Sequence, residues 1–173
     1  NEITLSRFAD IQPGTAGAWA RFYVEECAGR VPLIVGGYDD GTYRPALGVN
    51  RDAMAVFMAR ALKLNLPSYQ GLFSDVPSTH WAAGYIEALV GANVVSGYSD
   101  GTYRPSGAVG RDAMAVFVAR GMAGGDGNVP AGPTTASFSD VPTSYWAYKY
   151  VEYAKTQSVV GGYPDGTYRP LVS

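Results

Sequence analysis

One cysteine, Cys27, and one histidine, His80, are all that this sequence holds of either residue type. A lone cysteine excludes an internal disulfide framework. A lone histidine leaves nothing from which to build a multi-histidine metal site. No run of eighteen apolar residues occurs, so no segment can cross a bilayer as a helix. Charge of one sign is also missing: 13 basic residues stand against 15 acidic ones, a net of −2. That balance lacks the footprint of a nucleic-acid binder or of a protein that adheres to anionic membranes. No secretory leader is visible, though a mature exported chain would have lost one, so the compartment stays open. No glycine-rich strand-to-helix turn of the phosphate-binding kind is present. We expect no cofactor, no metal and no nucleic-acid or membrane-inserted partner.

What is abundant is tyrosine, glycine and proline, at 13, 22 and 11 residues, within a chain that is 47% hydrophobic. Such a chain can bury a sizeable core and must turn often. The turns recur. Gly37-Tyr38-Asp39-Asp40-Gly41-Thr42-Tyr43-Arg44-Pro45 returns as Gly97 to Pro105 and again as Gly162 to Pro170. A self-match at this period means one structural unit used three times. The Asp-Gly pair favours a tight reverse turn, so each copy reads as a short hairpin that the proline ends.

Around each turn the same elements repeat. Phe8, Phe73 and Phe138 open the units, and Trp19, Trp81 and Trp146 follow. Counting from each Trp, offsets zero, four, five and eight hold Tyr23, Val24 and Cys27, then Tyr85, Ile86 and Leu89, then Tyr150, Val151 and Ala154. These offsets form one face of an α-helix, which places them and the Trp inward. Offset six, Glu25, Glu87 and Glu152, falls off that stripe and reads as a solvated face. Ser78 or Thr79 and Thr143 or Ser144 are expected N-caps. A second helix is expected from Asn50, as its cap, to Leu62, with a twin from Arg111 to about Met122. Met54, Phe57, Met114 and Phe117 are expected in the core. The segments from Lys63 to Leu72 and from Gly121 to Ser137 read as linkers, the second exposed and flexible.

The run Phe-Ser-Asp-Val-Pro, His-Trp-Ala, an amphipathic helix, Ser-Gly-Tyr-x-Asp-Gly-Thr-Tyr-Arg-Pro and a second helix resembles the S-layer homology repeat. The resemblance covers over four fifths of the chain. It implies a mainly α fold with short β-hairpins, built from three pseudo-symmetric helix–hairpin–helix repeats with grooves between them. The repeats are expected at 1–66, 67–125 and 138–173, with a Gly/Pro-rich linker at 126–137. The resemblance implies a non-catalytic, extracellular module at the bacterial cell surface that binds an acidic cell-wall polysaccharide, often one carrying pyruvate ketals. The alternative is a structural subunit that assembles with other copies of itself into a surface layer or filament. One departure stands out. The family's second helix opens Thr-Arg-Ala-Glu, whereas here it opens Asn50-Arg51-Asp52-Ala53 and Gly110-Arg111-Asp112-Ala113.

The glycan-binding set so implied is Arg51, Arg111, Trp81, Asp100 and Gly97. Arg51 and Arg111 open helices, where free N–H groups and the macrodipole favour an anion, and a guanidinium grips a carboxylate bidentately. The plainer reading pairs them with Asp52, Asp112 or a carboxylate of another repeat. Trp81 is the plainer core residue, and Asp100 pairs with Arg104 across the turn. Asp75 and Asp140 read as turn or capping residues. Cys27 reads as a small buried hydrophobe. Catalysis has little support, because the carboxylates recur at repeat-equivalent positions and read as architecture. The third repeat stops before its second helix. Trp146, Tyr150, Val151 and Val159 are therefore expected to be covered from outside that repeat: by further chain, by Asn1 to Arg7 folding back, or by another subunit.

Overall fold

A computed structural model describes residues 5–173. It divides into two compact units, Asn1–Gly48 and Val49–Ser173, each considered separately. Of the expected lead-in, residues 1–4 lie outside the described residues. The α-helices among the described residues are α1 (Arg21–Ala28), α2 (Arg51–Ala61), α3 (Ala83–Gly91), α4 (Arg111–Ala123) and α5 (Tyr148–Thr156).

In the second unit α2 packs on α3, and α4 packs on α5. The first pair closes a core in which Met54, Ala55 and Ala59 meet Ile86, Leu89, Val94 and Tyr103. The second pair repeats this with Ala115, Val116 and Ala119 against Tyr150, Val151, Phe138 and Tyr168. Packing and sequence repeat are thus out of step: each second helix covers the unit that follows it. The third repeat is covered from outside itself, as expected, but from an unexpected source. Tyr150 and Val151 are buried beneath α4, a source of cover that none of the three expected ones includes, while Trp146 and Val159 stay exposed.

Helix termini follow one pattern. Lys63, Asn93 and Ser158 take left-handed φ values of 54°, 56° and 59°. The next residue in each case, Leu64, Val94 or Val159, donates its N–H back to Ala59, Leu89 or Ala154. These are Schellman-type ends, and they satisfy carbonyls the helix leaves open. At the N-termini the expected caps are not used. Asn50 makes no side-chain cap bond. Helices α3 and α5 begin after Ala82 and Ala147, beyond the serines and threonines read as caps. For the same reason Trp81 and Trp146 precede their helices, lie off the buried stripe and are each 60% exposed, as Trp19 is at 68%. Of the side chains expected in the core, Met54, Ile86, Leu89 and Phe117 are buried. Tyr85, Phe57 and Met114 are half-buried.

The recurrent turns form no strand ladder among the described residues. Each is closed by paired bonds: Tyr98 N–H to Thr102 O at 2.7 Å and Gly101 N–H to Tyr98 O at 3.0 Å, with the same bonds at Tyr38 and Tyr163. The pairing stops there because Arg44, Arg104 and Arg169 take positive φ and a proline follows. Asp75 holds the bend by accepting the Tyr103 and Arg104 N–H groups at 2.8 and 2.7 Å. Asp10 and Asp140 do the same for their own turns. They are turn clamps rather than helix caps.

Asp100 pairs with Arg104 at 2.8 Å, as read from the sequence. The Thr102 hydroxyl, and then Arg104, hold its carboxyl down to about 2. A carboxylate depressed on folding stabilises the turn above the ordinary value near 3.8, and that contribution is lost as pH falls toward 2. The Asp100 carboxyl carbon should therefore titrate near pH 2 by NMR, and Thr102→Val should raise the midpoint. A wild-type midpoint close to 4 would contradict the clamp.

Two further corrections concern polar groups. Glu87 and Glu152 are buried rather than solvated. Glu87 accepts the Gln70 and Gly71 N–H groups, both at 2.9 Å. Glu152 accepts the Ser137 N–H at 2.7 Å. In the first unit Glu25 takes the Arg7 N–H at 2.9 Å. At each repeat this glutamate ties the entering chain to the helix. The segment expected to be an exposed, flexible linker is packed in part: Val129 is buried, Asp126 N–H bonds Asn93 O, and Tyr148 donates to Pro133 O.

Candidate functional site

The second unit holds a groove of about 680 Å³ between the chain that follows α3 and the exposed side of α4. Its walls are Val94 to Tyr98 on one side and Gly110, Asp112, Ala113, Val116, Phe117 and Arg120 on the other. Arg51, Trp146 and Leu171 also line it. The volume and the apolar lining with a few polar groups suit a small-molecule or oligosaccharide ligand.

Two cations among the described residues line this groove, Arg120, which is paired with Asp126, and Arg51, which is not paired. Its Nε donates to Tyr103 O at 2.8 Å and its Nη2 to Ser96 O at 3.3 Å. The guanidinium carbon lies 4.4 Å from the Tyr103 ring centroid and 5.1 Å from that of Tyr98. No carboxylate among the described residues lies within ion-pair distance of Arg51 or Arg111. The plainer reading, a carboxylate partner, is therefore not realised. Backbone carbonyls orient the head without neutralising it, and Nη1 donates to no acceptor among the described residues. The helix terminus itself is not open to an anion, however. Arg51 N–H and Asp52 N–H bond Gly107 O and Pro105 O, both at 2.9 Å, because the following turn docks its carbonyls there.

Gly97 is required by close approach. A Cβ there would fall 2.2 Å from Phe73 Cε1 and 2.7 Å from Thr102 O. Asp112 faces the groove from α4, with Oδ2 accepting the Tyr145 hydroxyl at 2.7 Å. Arg120 bonds Asp126 and the Tyr150 hydroxyl, each at 3.0 Å. Of the five residues named from the sequence, Arg51 and Gly97 meet in this groove. Arg111 makes the corresponding contacts elsewhere, to Tyr168 O at 2.8 Å and Gly161 O at 2.9 Å. Trp81 stacks beside His80, and Asp100 stays in its turn. Trp146, Phe117, Asp112 and Arg120 are additions to the sequence reading. Their shared signal was the repeat itself, since each has a twin, but the groove joins different repeats and no single repeat contains it.

Comparison with known proteins finds the S-layer homology domain at residues 7–55, 72–115 and 137–171, well over half of the chain. The chain belongs to the S-layer homology family. The cellulosome-anchoring protein of Acetivibrio thermocellus is 33% identical over 148 residues, 82% of this chain and 31% of that protein. Cell surface glycoprotein 1 of the same organism is 29% identical over 167 residues, 91% of this chain and 7% of that protein. S-layer protein EA1 of Bacillus anthracis is 34% identical over 101 residues, 54% of this chain and 11% of that protein. This S-layer homology chain thus spans less than a third of each of these relatives. No described helix is long and apolar enough to cross a membrane.

Proposed function

We propose that this chain is a non-catalytic anchoring module of the bacterial cell surface, and that its groove binds an acidic cell-wall polysaccharide. The observation that carries the reading is Arg51, a half-buried guanidinium at the groove, held by carbonyls and with no carboxylate among the described residues within ion-pair distance of it. A ligand carboxylate, such as a pyruvate ketal, supplies that counter-charge in bidentate form. Trp146, exposed at the rim, offers a face on which a sugar ring can stack. The relatives named for anchoring and for the cell surface support the same assignment. The relative named as an S-layer protein supports a second reading, in which the module also takes part in a surface array.

Calorimetric titration with pyruvylated wall polysaccharide tests the reading. Arg51→Ala should weaken binding about 10–100-fold, the loss of one charge-assisted contact. Trp146→Ala should also weaken it while leaving the thermal midpoint unchanged, because that ring is exposed and Arg51 is not. Undiminished binding of the de-pyruvylated polymer would rule out the carboxylate role of Arg51.

A further inference from the structure

The Arg51 guanidinium stands among three rings. Its carbon lies 4.4 Å from the Tyr103 centroid, 5.1 Å from that of Tyr98 and 5.9 Å from that of Phe117. All three are within reach of a cation–π contact. Tyr103 and Phe117 belong to the core, at 0% and 3% exposed. Tyr98 is the wall that reaches the surface, at 42% exposed, and it lines the groove.

Tyr98 is itself held fast. Its N–H and its carbonyl close the turn through Thr102 and Gly101. Its ring carries the Arg104 guanidinium at 3.9 Å, and Asp100 fixes Arg104 at 2.8 Å. The other turns build the same stack. Arg169 lies 3.9 Å over Tyr163 and pairs with Asp165, and in the first unit Arg44 lies 4.1 Å over Tyr38 and pairs with Asp40. The turn sequence thus makes this platform by itself, and Arg51 is added to it.

The hydrogen bonds of Arg51 show why a platform is needed. The Nε bond to Tyr103 O is sound at 2.8 Å, but the Nη2 bond to Ser96 O, at 3.3 Å, lies past the ordinary range. One sound bond leaves the guanidinium plane free to tilt about it, and a neighbouring ring limits that tilt. A fork of two parallel bonds to a carboxylate needs that plane fixed. Arg111 differs: its Nη2 reaches Gly161 O at 2.9 Å, and the Tyr163 ring stands at 5.4 Å. Two sound bonds hold that guanidinium, so the ring adds less there.

We propose that Tyr98 is a positioning residue of the groove: its ring, braced by Arg104, holds the Arg51 guanidinium in the plane that meets a ligand carboxylate. The role rests on Arg51 as the ligand cation, as proposed above. Asp100, named from the sequence as a glycan contact, then acts at two removes, through Arg104 and Tyr98.

The first measurement uses the full chain and no ligand. Tyr98→Leu should speed exchange of the Arg51 Nε–H with water about threefold or more by NMR, whereas Tyr98→Phe keeps the wild-type rate. Tyr163→Leu should alter the Arg111 Nε–H less. The Asp100 carboxyl should still titrate near pH 2 in Tyr98→Leu, since the Thr102 hydroxyl chiefly holds it down, and this shows the turn intact. The second measurement is calorimetric titration with pyruvylated and de-pyruvylated wall polysaccharide. Tyr98→Leu should weaken binding of the first about three- to tenfold and leave the second unchanged, and Tyr98→Phe should restore the first. An Arg51 Nε–H unaltered by Tyr98→Leu overturns the proposal. So does a Tyr98→Phe protein as impaired as Tyr98→Leu, which would assign the effect to the hydroxyl. Wild-type protein that binds both polymers alike overturns the carboxylate role of Arg51 instead, and the exchange rates then decide the role of Tyr98 toward Arg51.

Discussion

Phe117→Ala should lower the unfolding free energy of the chain by about 3–5 kcal/mol, the usual cost of truncating a buried phenylalanine. Phe117 is 3% exposed and packs into the core that α2 and α3 close with Val95 and Tyr103. It stands on α4, so a single ring joins the two helix pairs of the second unit. It also floors the groove, with the Arg51 guanidinium 5.9 Å from its ring centroid. Phe57, its counterpart on α2, is half-buried and should lose distinctly less. Urea melts of the two variants check this. Equal losses, or a Phe117→Ala loss under about 1 kcal/mol, would contradict the packing. Groove binding should fall in the same variant, since the support beneath Arg51 is gone.

The contrast between Phe57 and Phe117 shows what could be read from the sequence. The two kinds of helix and the Asp100–Arg104 turn are local features, written in spacings of three to eight residues, and the structure contains them. Which helix covers which unit is non-local. The period places Met54 and Phe117 on apolar faces but says nothing about the partner, so α4 over α5 could not be foreseen. Trp81 and Trp146 were misplaced for a local reason: the helical offset was counted from residues that lie before the helix begins. Arg51 was legible as an anion-binding candidate from its residue type and position. Its orientation was not, because backbone carbonyls of Tyr103 and Ser96 set it, and carbonyls leave no mark in a sequence. Trp146 entered the groove only once repeats two and three were packed together.

Glu87→Ala should be almost as damaging as the loss of Phe117, although a solvated glutamate would be nearly neutral. Glu87 is 4% exposed, and its carboxylate accepts N–H groups of Gln70 and Gly71 at 2.9 Å, with Leu72 at 3.4 Å. Burying a carboxylate is unfavourable unless its oxygens are bonded, and here the entering chain supplies those bonds. Removing it leaves at least two backbone donors unpaired, at about 1–3 kcal/mol each, so a loss of about 2–5 kcal/mol is expected. Glu87→Gln keeps the shape and one acceptor but loses the charge, and should fall between the two. Amide exchange at Gln70 and Gly71 separates this from a general loss of stability: those amides should exchange faster in Glu87→Ala under native conditions, ahead of the amides of α3. Glu152, 2% exposed and bonded to Ser137, should behave alike at the third repeat. A Glu87→Ala protein that melts within about 0.5 kcal/mol of wild type would return this residue to the solvated face assigned by helical period alone.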